Sequence, residues 1–343
     1  MMPQCPAPRH EDERVLLGHG AGGRLTAELL ETLVLPAVGA VPGPLEDAAV
    51  LGADGRTVLS TDSFVVSPLF FPGGDIGSLA VHGTVNDLAM RGAKPLALAV
   101  SLIIEEGLPL AELRSVADSL GKAAAEAGVP VVTGDTKVVG RGAADRLFLT
   151  TTGVGRRLPG LHPSAARARP QDAILLSGPI GLHGTAVLST REGLGFEADI
   201  ASDSRPLHRL VRNLASLGGH VHTLRDPTRG GLAATLNEIA GASGTGAEID
   251  ESALPVPGPV SAVCDLLGLD PLHVANEGCL VAYVPARYAQ DALRALRGVP
   301  EGAEAVRIGE TTAAHPGRVL LRTRVGSHRV VDMPVGEQLP RIC

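Results

Sequence analysis

The chain has 343 residues, 44% hydrophobic and 20% charged, which is more than one typical core holds and enough for two domains. Lys plus Arg is 30 and Asp plus Glu is 37, and the net charge of −7 excludes a general nucleic-acid binder. Four scattered cysteines without a CxxC pair exclude a zinc ribbon or a disulfide framework, and no run of about 18 apolar residues offers a membrane span.

With five Phe, two Tyr and no Trp, the core has to be built from Ala, Val and Leu. Gly and Pro are abundant but not periodic, which points to many tight turns. The N-terminal stretch MMPQCPAPRHEDERV has no apolar h-region, so the chain reads as a soluble cytoplasmic protein.

Residues 1–14 are polar and expected to be loose. Leu25, Leu29, Leu30 and Leu33 follow at helical spacing, with Pro36 as the expected stop. A Pro/Gly turn over 41–45 leads to Glu46-Asp47, and a strand over 57–61 is expected to end at Asp62. Asp75 is placed to cap a helix over 76–91. A buried strand follows over 96–104. Leu113, Val116, Ala117, Leu120 and Ala124 then mark an amphipathic helix stopped by Gly128. VPVV reads as a short strand leading into Thr133-Gly134-Asp135, and 146–155 as another strand.

Residues 156–170 carry three prolines and little apolar periodicity, and read as a linker. A second set follows: strands over 173–177, 247–249, 279–284, 304–309, 318–323 and 328–332, and helices over 181–190, 206–217, 229–242, 260–267 and 286–297. Without strict βαβ alternation, the expected fold class is α+β, in layers, rather than a doubly wound sheet. The expected units are residues 1–155, 156–331 and a mobile tail over 332–343.

Asp47, Asp62, Asp87, Asp135 and Asp226 all fall at predicted turns or element ends among small residues. Mg²⁺ takes a few carboxylates together with phosphate oxygens, and small neighbours let a phosphate approach the backbone. Each Asp alone is better read as a helix cap or turn former, but the set reads as a magnesium-nucleotide site. DPTRGG ahead of a helix resembles a phosphate cradle, with Arg229 adding charge, although an ordinary helix start explains it equally well.

Gly18, Gly20 and Gly23 match GxGxxG, but only three apolar residues precede them and no acid-terminated strand follows, so a dinucleotide site is not read. There is no GxxxxGK[ST]. Lys137 and Glu277 lie in segments dense with small residues, where each is a site candidate or a surface charge. His82 and His183 lack metal-ligand spacing and read as structural.

The chain closes on MPVGEQLPRIC. Gly336 and Pro340 keep this segment out of helix and strand, and at about 3.3 Å per residue it spans roughly 35 Å. That length suits a thiol, Cys343, that travels.

HGAGGR, EDAAVL, STDSFVVSPLFFPGGDIGSLAVHGTVNDLAMRGAKP, VTGDTKVV, DPTRGGLA, ANEG and the closing PRIC occur in that order over nearly the whole chain. Together they resemble the hydrogenase maturation factor HypE family. The acidic set resembles that of the wider PurM-like superfamily, which includes aminoimidazole ribonucleotide synthetase, selenophosphate synthetase and thiamine-phosphate kinase.

The resemblance implies a PurM-like two-domain fold with ATP and Mg²⁺ in a cleft, and a homodimer formed by the N-terminal domains. It implies that HypF places a carbamoyl group on the Cys343 sulfur, that ATP drives its dehydration to a thiocyanate, and that the cyanide passes to iron on HypC and HypD. Under it Asp47, Asp62, Asp87, Asp135 and Asp226 position metal and triphosphate, and Asn86, Thr136 and Arg229 assist. Lys137 steadies charge on the thiocarboxamide oxygen and Glu277 acts as base. Two other readings stand beside it: an ATP-binding docking scaffold, and a related kinase or synthetase acting on a free small molecule.

Overall fold

A computed structural model describes residues 14–39, 45–52, 54–191, 200–334 and 341–343. Most of the expected loose N-terminus, the turn over 41–45 and part of the tail lie outside the described residues.

The first half opens with α1 (Arg24–Leu29), a π turn over Leu30–Val34 and α2 (Leu35–Ala37). Pro36 does not interrupt this run. It lies in the final turn of a continuous helical run, which closes one residue later at Ala37. Then come β1 (Ala49–Leu51), β2 (Thr57–Phe64), a small hairpin of β3 (Phe70–Phe71) and β4 (Gly74–Asp75), α3 (Ile76–Met90), β5 (Ala93–Glu105), α4 (Leu110–Ala127), β6 (Val131–Val139) and β7 (Leu147–Arg157). The five-stranded sheet runs β1-β2-β7-β5-β6.

Two departures from expectation bear on function. Asp62 lies inside β2, opposite Thr151, and Asp135 lies in mid-strand rather than in a turn. The reason is register: β6 pairs with β5 in parallel from Val131 through Val139, so main-chain bonding carries the strand past Gly134.

Helix α3 is the axis of this half. The Asp75 carboxylate accepts from the Gly77 and Ser78 amides at 2.8 and 2.9 Å, completing the cap expected from sequence. Nearly every residue of α3 is buried, because the sheet, α4 and the second half all pack on it. Its glycines permit this. A Cβ at Gly83 would lie 2.8 Å from the Phe64 ring, and one at Gly77 would lie 2.4 Å from the Val116 carbonyl.

The second half comprises β8 (Asp172–Leu176), α5 (Leu182–Ser189), α6 (His208–Leu214), β9 (Thr223–Arg225), α7 (Gly231–Ser243), β10 (Gly246–Asp250), α8 (Gly258–Leu267), β11 (Val281–Pro285), α9 (Ala289–Arg297), β12 (Val306–Thr312), β13 (Val319–Arg322) and β14 (His328–Val331). Its sheet runs β14-β13-β10-β12-β8-β11-β9, with a core on each face. Sequence reasoning missed β9, a three-residue edge strand too short to show periodicity.

The halves are fastened to each other. Ala89 and Met90 pack among Leu207, Leu210 and Leu280, and Leu161 of the expected linker is fully buried there. Glu46 pairs with Arg91 at 3.0 Å and accepts from the Ser164 hydroxyl at 2.5 Å. Helices and mixed sheets in two layered halves make the α+β arrangement that the resemblance implies.

Candidate active site

Three carboxylates from distant parts of the chain meet where the halves join. Asp47 precedes β1, Asp87 lies on the last turn but one of α3, and Asp226 follows β9. One oxygen of each lies within 4.8 Å of the others. The Ser60 hydroxyl donates to Asp87 Oδ2 at 2.6 Å and lies 3.1 Å from the Asp47 carbonyl. Arg225 Nε approaches Asp47 Oδ1 at 3.2 Å, and its other end pairs with Glu238.

The electrostatics mark the cluster as incomplete. Burial pushes Asp47 up to about 8 against the pull of Arg225, with Asp226, Glu238 and Glu46 adding to the rise. Burial, again opposed by Arg225, raises Asp226 to about 6. Asp87 is driven well above the usual carboxylate range by burial and by Asp226, Asp62 and Asp47. Asp47 Oδ2 and Asp226 Oδ2 are buried with no hydrogen-bond partner. Acceptor-only oxygens crowded together and left unsatisfied fit a hard divalent cation. Beside them opens a cavity of about 500 Å³ lined in part by Gly22, Gly23, Asp47, Arg225 and Glu238.

Asp62, Glu277 and Arg229 complete the cleft. Burial raises Asp62, and Arg229 pulls it back. Glu277 is almost fully buried, and burial with the Asp226, Asp203 and Asp62 charges lifts its carboxyl well above the ordinary range. Arg229 donates to the Gly20 carbonyl at 3.1 Å, which sets HGAGGR against DPTRGG. Its guanidinium is held more firmly protonated first by the negative charge of Cys343, then by Asp62, Glu277 and Asp87.

Main-chain bonds seat the closing residues against the segment just after β2, three residues on from Asp62. The Val65 amide donates to the Cys343 carbonyl and the Ser67 amide to the Arg341 carbonyl, each at 3.1 Å. Ile342 is buried in the core beneath β2 and α3. Arg341 donates to the Val65 carbonyl at 2.9 Å and pairs with Asp145.

Three expected site residues are not brought to the cluster within one chain. Asp135, Thr136 and Lys137 lie on the exposed strand β6, where Lys137 Nζ pairs with Asp135 at 2.7 Å. Hydrogen bonds from Lys137 and the Thr136 amide lower the Asp135 carboxyl instead of raising it. Among the described residues the metal-competent group is Asp47, Asp87 and Asp226, without Asp135.

Asn86 is also placed differently from a ligand. It is buried, accepts from the Leu207 amide at 2.8 Å and donates to the Arg205 carbonyl at 3.1 Å, so it binds α3 to the second half.

Sequence reasoning overlooked Arg225, Asp203 and Asn276. Asp203 accepts the Glu277 and Gly278 amides at 3.1 and 2.9 Å. Asn276 donates to the Pro227 carbonyl at 2.8 Å, joining ANEG to DPTRGG. Arg225 stands directly before the DPTRGG motif, and that adjacency was its one sequence signal.

Comparison with known proteins agrees with this architecture. The AIR synthase related protein N-terminal domain matches residues 45–157 and the corresponding C-terminal domain matches 169–322. The chain is 56% identical over 333 residues to the carbamoyl dehydratase HypE of Cupriavidus necator, covering 96% of this chain and 95% of the relative. It superimposes on HypE from a HypE–HypF complex with TM-score 0.86 at 47% identity, covering 89% of this chain and 99% of that one. A HypE in complex with ATP aligns with TM-score 0.81 at 51% identity, over 96% of this chain and 100% of that one. With both halves matched in order and more than half of all residues identical to a curated relative, the chain belongs to the HypE family, on an AIR synthase related fold.

Proposed function

We propose that this protein converts a carbamoyl group on its own Cys343 sulfur to a thiocyanate, with ATP as the dehydrating agent, and so supplies cyanide for hydrogenase maturation. The single observation that carries this reading is the seat of Cys343. Cys343 accepts a main-chain hydrogen bond from Val65, directly after the strand that carries Asp62, and Ile342 beside it is buried in the core.

The balance is R–S–C(=O)–NH₂ + ATP → R–S–C≡N + ADP + phosphate. The amide oxygen leaves as part of phosphate and both N–H protons are lost. An amide oxygen is a poor leaving group, and phosphorylation makes it a good one. A HypE solved with ATP supports nucleotide binding here.

Asp47, Asp87 and Asp226, with two unsatisfied oxygens among them, would hold Mg²⁺. When bound, that ion supplies charge neutralisation for phosphoryl transfer. Arg229 keeps negative charge at the tail and on the triphosphate. Glu277 takes an N–H proton. Its raised affinity for protons suits that task, and Arg229 favours its ionised form beforehand.

Lys137 and Asp135 are proposed to act at a site completed by a second copy of the chain. In support, β6 is the unpaired edge of its sheet, and Val131, Val132 and Val138 on it are 41%, 64% and 67% exposed. A long apolar edge strand is ordinarily covered. A groove of about 620 Å³ runs beside it, lined by Leu102, Leu120 and Val132 among others.

A mobile tail, reaching out to HypF and then to HypC and HypD in the cytoplasm, is part of the same proposal. The HypE–HypF complex supports the first partner. Among the described residues no helix is long and apolar enough to cross a membrane.

The test is the mass of the isolated chain after carbamoylation, with and without Mg-ATP. Loss of one water from the C-terminal peptide, seen only with Mg-ATP, is the expected result. Persistence of the carboxamide would overturn the reading.

A further inference from the structure

His183 is fully buried on the first turn of α5, far from the acidic cluster in sequence, and the chemistry above makes no use of it. Its two ring nitrogens are both engaged. Nδ1 lies 2.8 Å from the Ser202 hydroxyl, and Nε2 lies 2.8 Å from the main-chain carbonyl of Ile342, the residue before the terminal cysteine. A carbonyl only accepts, so Nε2 carries the proton and Nδ1 accepts from Ser202. Phe71 meets the ring edge-on at 5.3 Å, which fixes its plane. Burial lowers the imidazole to about 4, so it is uncharged at neutral pH and costs little to keep in the core.

The two residues after Ser202 reach the backbone of Glu277 and helix α3. Asp203 accepts the amides of Glu277 and Gly278, and the Ser204 hydroxyl lies 3.0 Å from His82 on α3. There is no slack at this junction. A Cβ at Gly278 would fall 1.6 Å from the Asp203 carbonyl, and one at Gly73 would fall 2.7 Å from the Ser202 amide nitrogen. A single tripeptide thus touches the histidine under the tail on one side and the backbone of Glu277 on the other.

We propose that His183 is the positioning residue that seats Cys343 for reaction, by donating to the Ile342 carbonyl, and that Ser202–Asp203–Ser204 ties this seat to the placement of Glu277. The proposal deepens the dehydratase reading and rests on it for its purpose. Two main-chain bonds to Val65 and Ser67 set the direction of the last three residues, as an added strand would. They run along an edge and do not by themselves fix depth. The imidazole is the polar contact from beneath, beside the buried Ile342 side chain, in a site where an unsatisfied carbonyl is costly. When the tail leaves, His183 loses its acceptor, so the empty seat is disfavoured and the seated tail is the resting state.

The test needs neither ATP nor a carbamoyl group, so its outcome is separate from that of the dehydration assay. On a Cys5→Ser background, alkylation of Cys343 is timed against Cys264 and Cys279, which are buried internal controls. Amide exchange is followed at Val65, Ser67, Glu277 and Gly278. His183→Leu removes the donor at similar volume, and His183→Gln keeps one.

The expected result for Leu is about tenfold faster alkylation of Cys343, as for loss of one buried hydrogen bond. Cys264 and Cys279 should stay protected, all four amides should exchange faster, and Gln should restore most of the seat. If Leu unfolds the protein and all thiols react, Ser202→Ala decides on the same readouts. Wild-type alkylation and exchange in a folded variant would overturn the seat. Unchanged exchange at Glu277 and Gly278 beside a loosened tail would overturn the link to the base.

Discussion

Arg225 Nε lies 3.2 Å from Asp47 Oδ1, and the next residue in the chain, Asp226, enters the same acidic cluster. One dipeptide at the end of a short edge strand therefore supplies both a carboxylate of the cluster and the cation that restrains its neighbour. Removing the arginine leaves Asp47 and Glu238 facing each other without a counter-ion. Arg225→Met should destabilise the fold by about 3 kcal/mol, the lower end for breaking a buried pair, because Asp47 can take up a proton instead. Chemical denaturation at pH 9, where Asp47 is ionised, measures this, and a loss below about 0.5 kcal/mol would contradict the pairing.

The cluster also sets a pH dependence. Asp47 is raised to about 8 and Asp226 to about 6 in the metal-free protein, whereas an unfolded Asp titrates near 3.9. Between those limits the folded chain binds more protons than the unfolded one, so stability falls as pH rises. In EDTA, Tm should therefore climb as pH is lowered from about 8 to about 6. Asp47→Asn should flatten that slope, and Mg²⁺ should oppose it by favouring the ionised carboxylates. An Asn variant with the wild-type slope would remove Asp47 as its source.

Glu277→Gln replaces a buried acid with a group shaped like its neutral form. We expect a folded protein that still binds nucleotide but forms nitrile at least about 100-fold more slowly, the usual loss for a general base. Carbamoylated chain incubated with Mg-ATP and followed by mass gives the rate, and near-normal turnover would assign the proton to another group.

Lys137 and Asp135 are exposed and form an ion pair with each other on β6. Lys137→Ala should thus change stability by less than about 0.5 kcal/mol. Its effect should fall on dehydration, through the second copy. If the proposed dimer forms through β6, Val132→Glu on the same exposed strand should leave a monomer by sedimentation, and dehydration should fall with it. A Val132→Glu protein that stays dimeric and active would place the interface elsewhere.

Short-range signals were readable in the chain. Asp75 announced the start of α3 and Gly128 the end of α4, because caps and left-handed stops involve residues a few positions apart. The acidic residues, the ANEG and DPTRGG motifs and the terminal cysteine were likewise visible as chemistry in search of a place. Their place depended on contacts between positions far apart in the chain. Register in β6 turned Asp135 and Lys137 outward onto an exposed strand, while the packing of α3 brought Asp87 to Asp47 and Asp226. His183 looked like any core histidine, and Asp203 and Arg225 like any surface charge, until the fold set them against Ile342, Glu277 and Asp47. Local propensity is written residue by residue, but a carboxylate's proton affinity and a thiol's neighbours come from whatever burial and packing bring to its side.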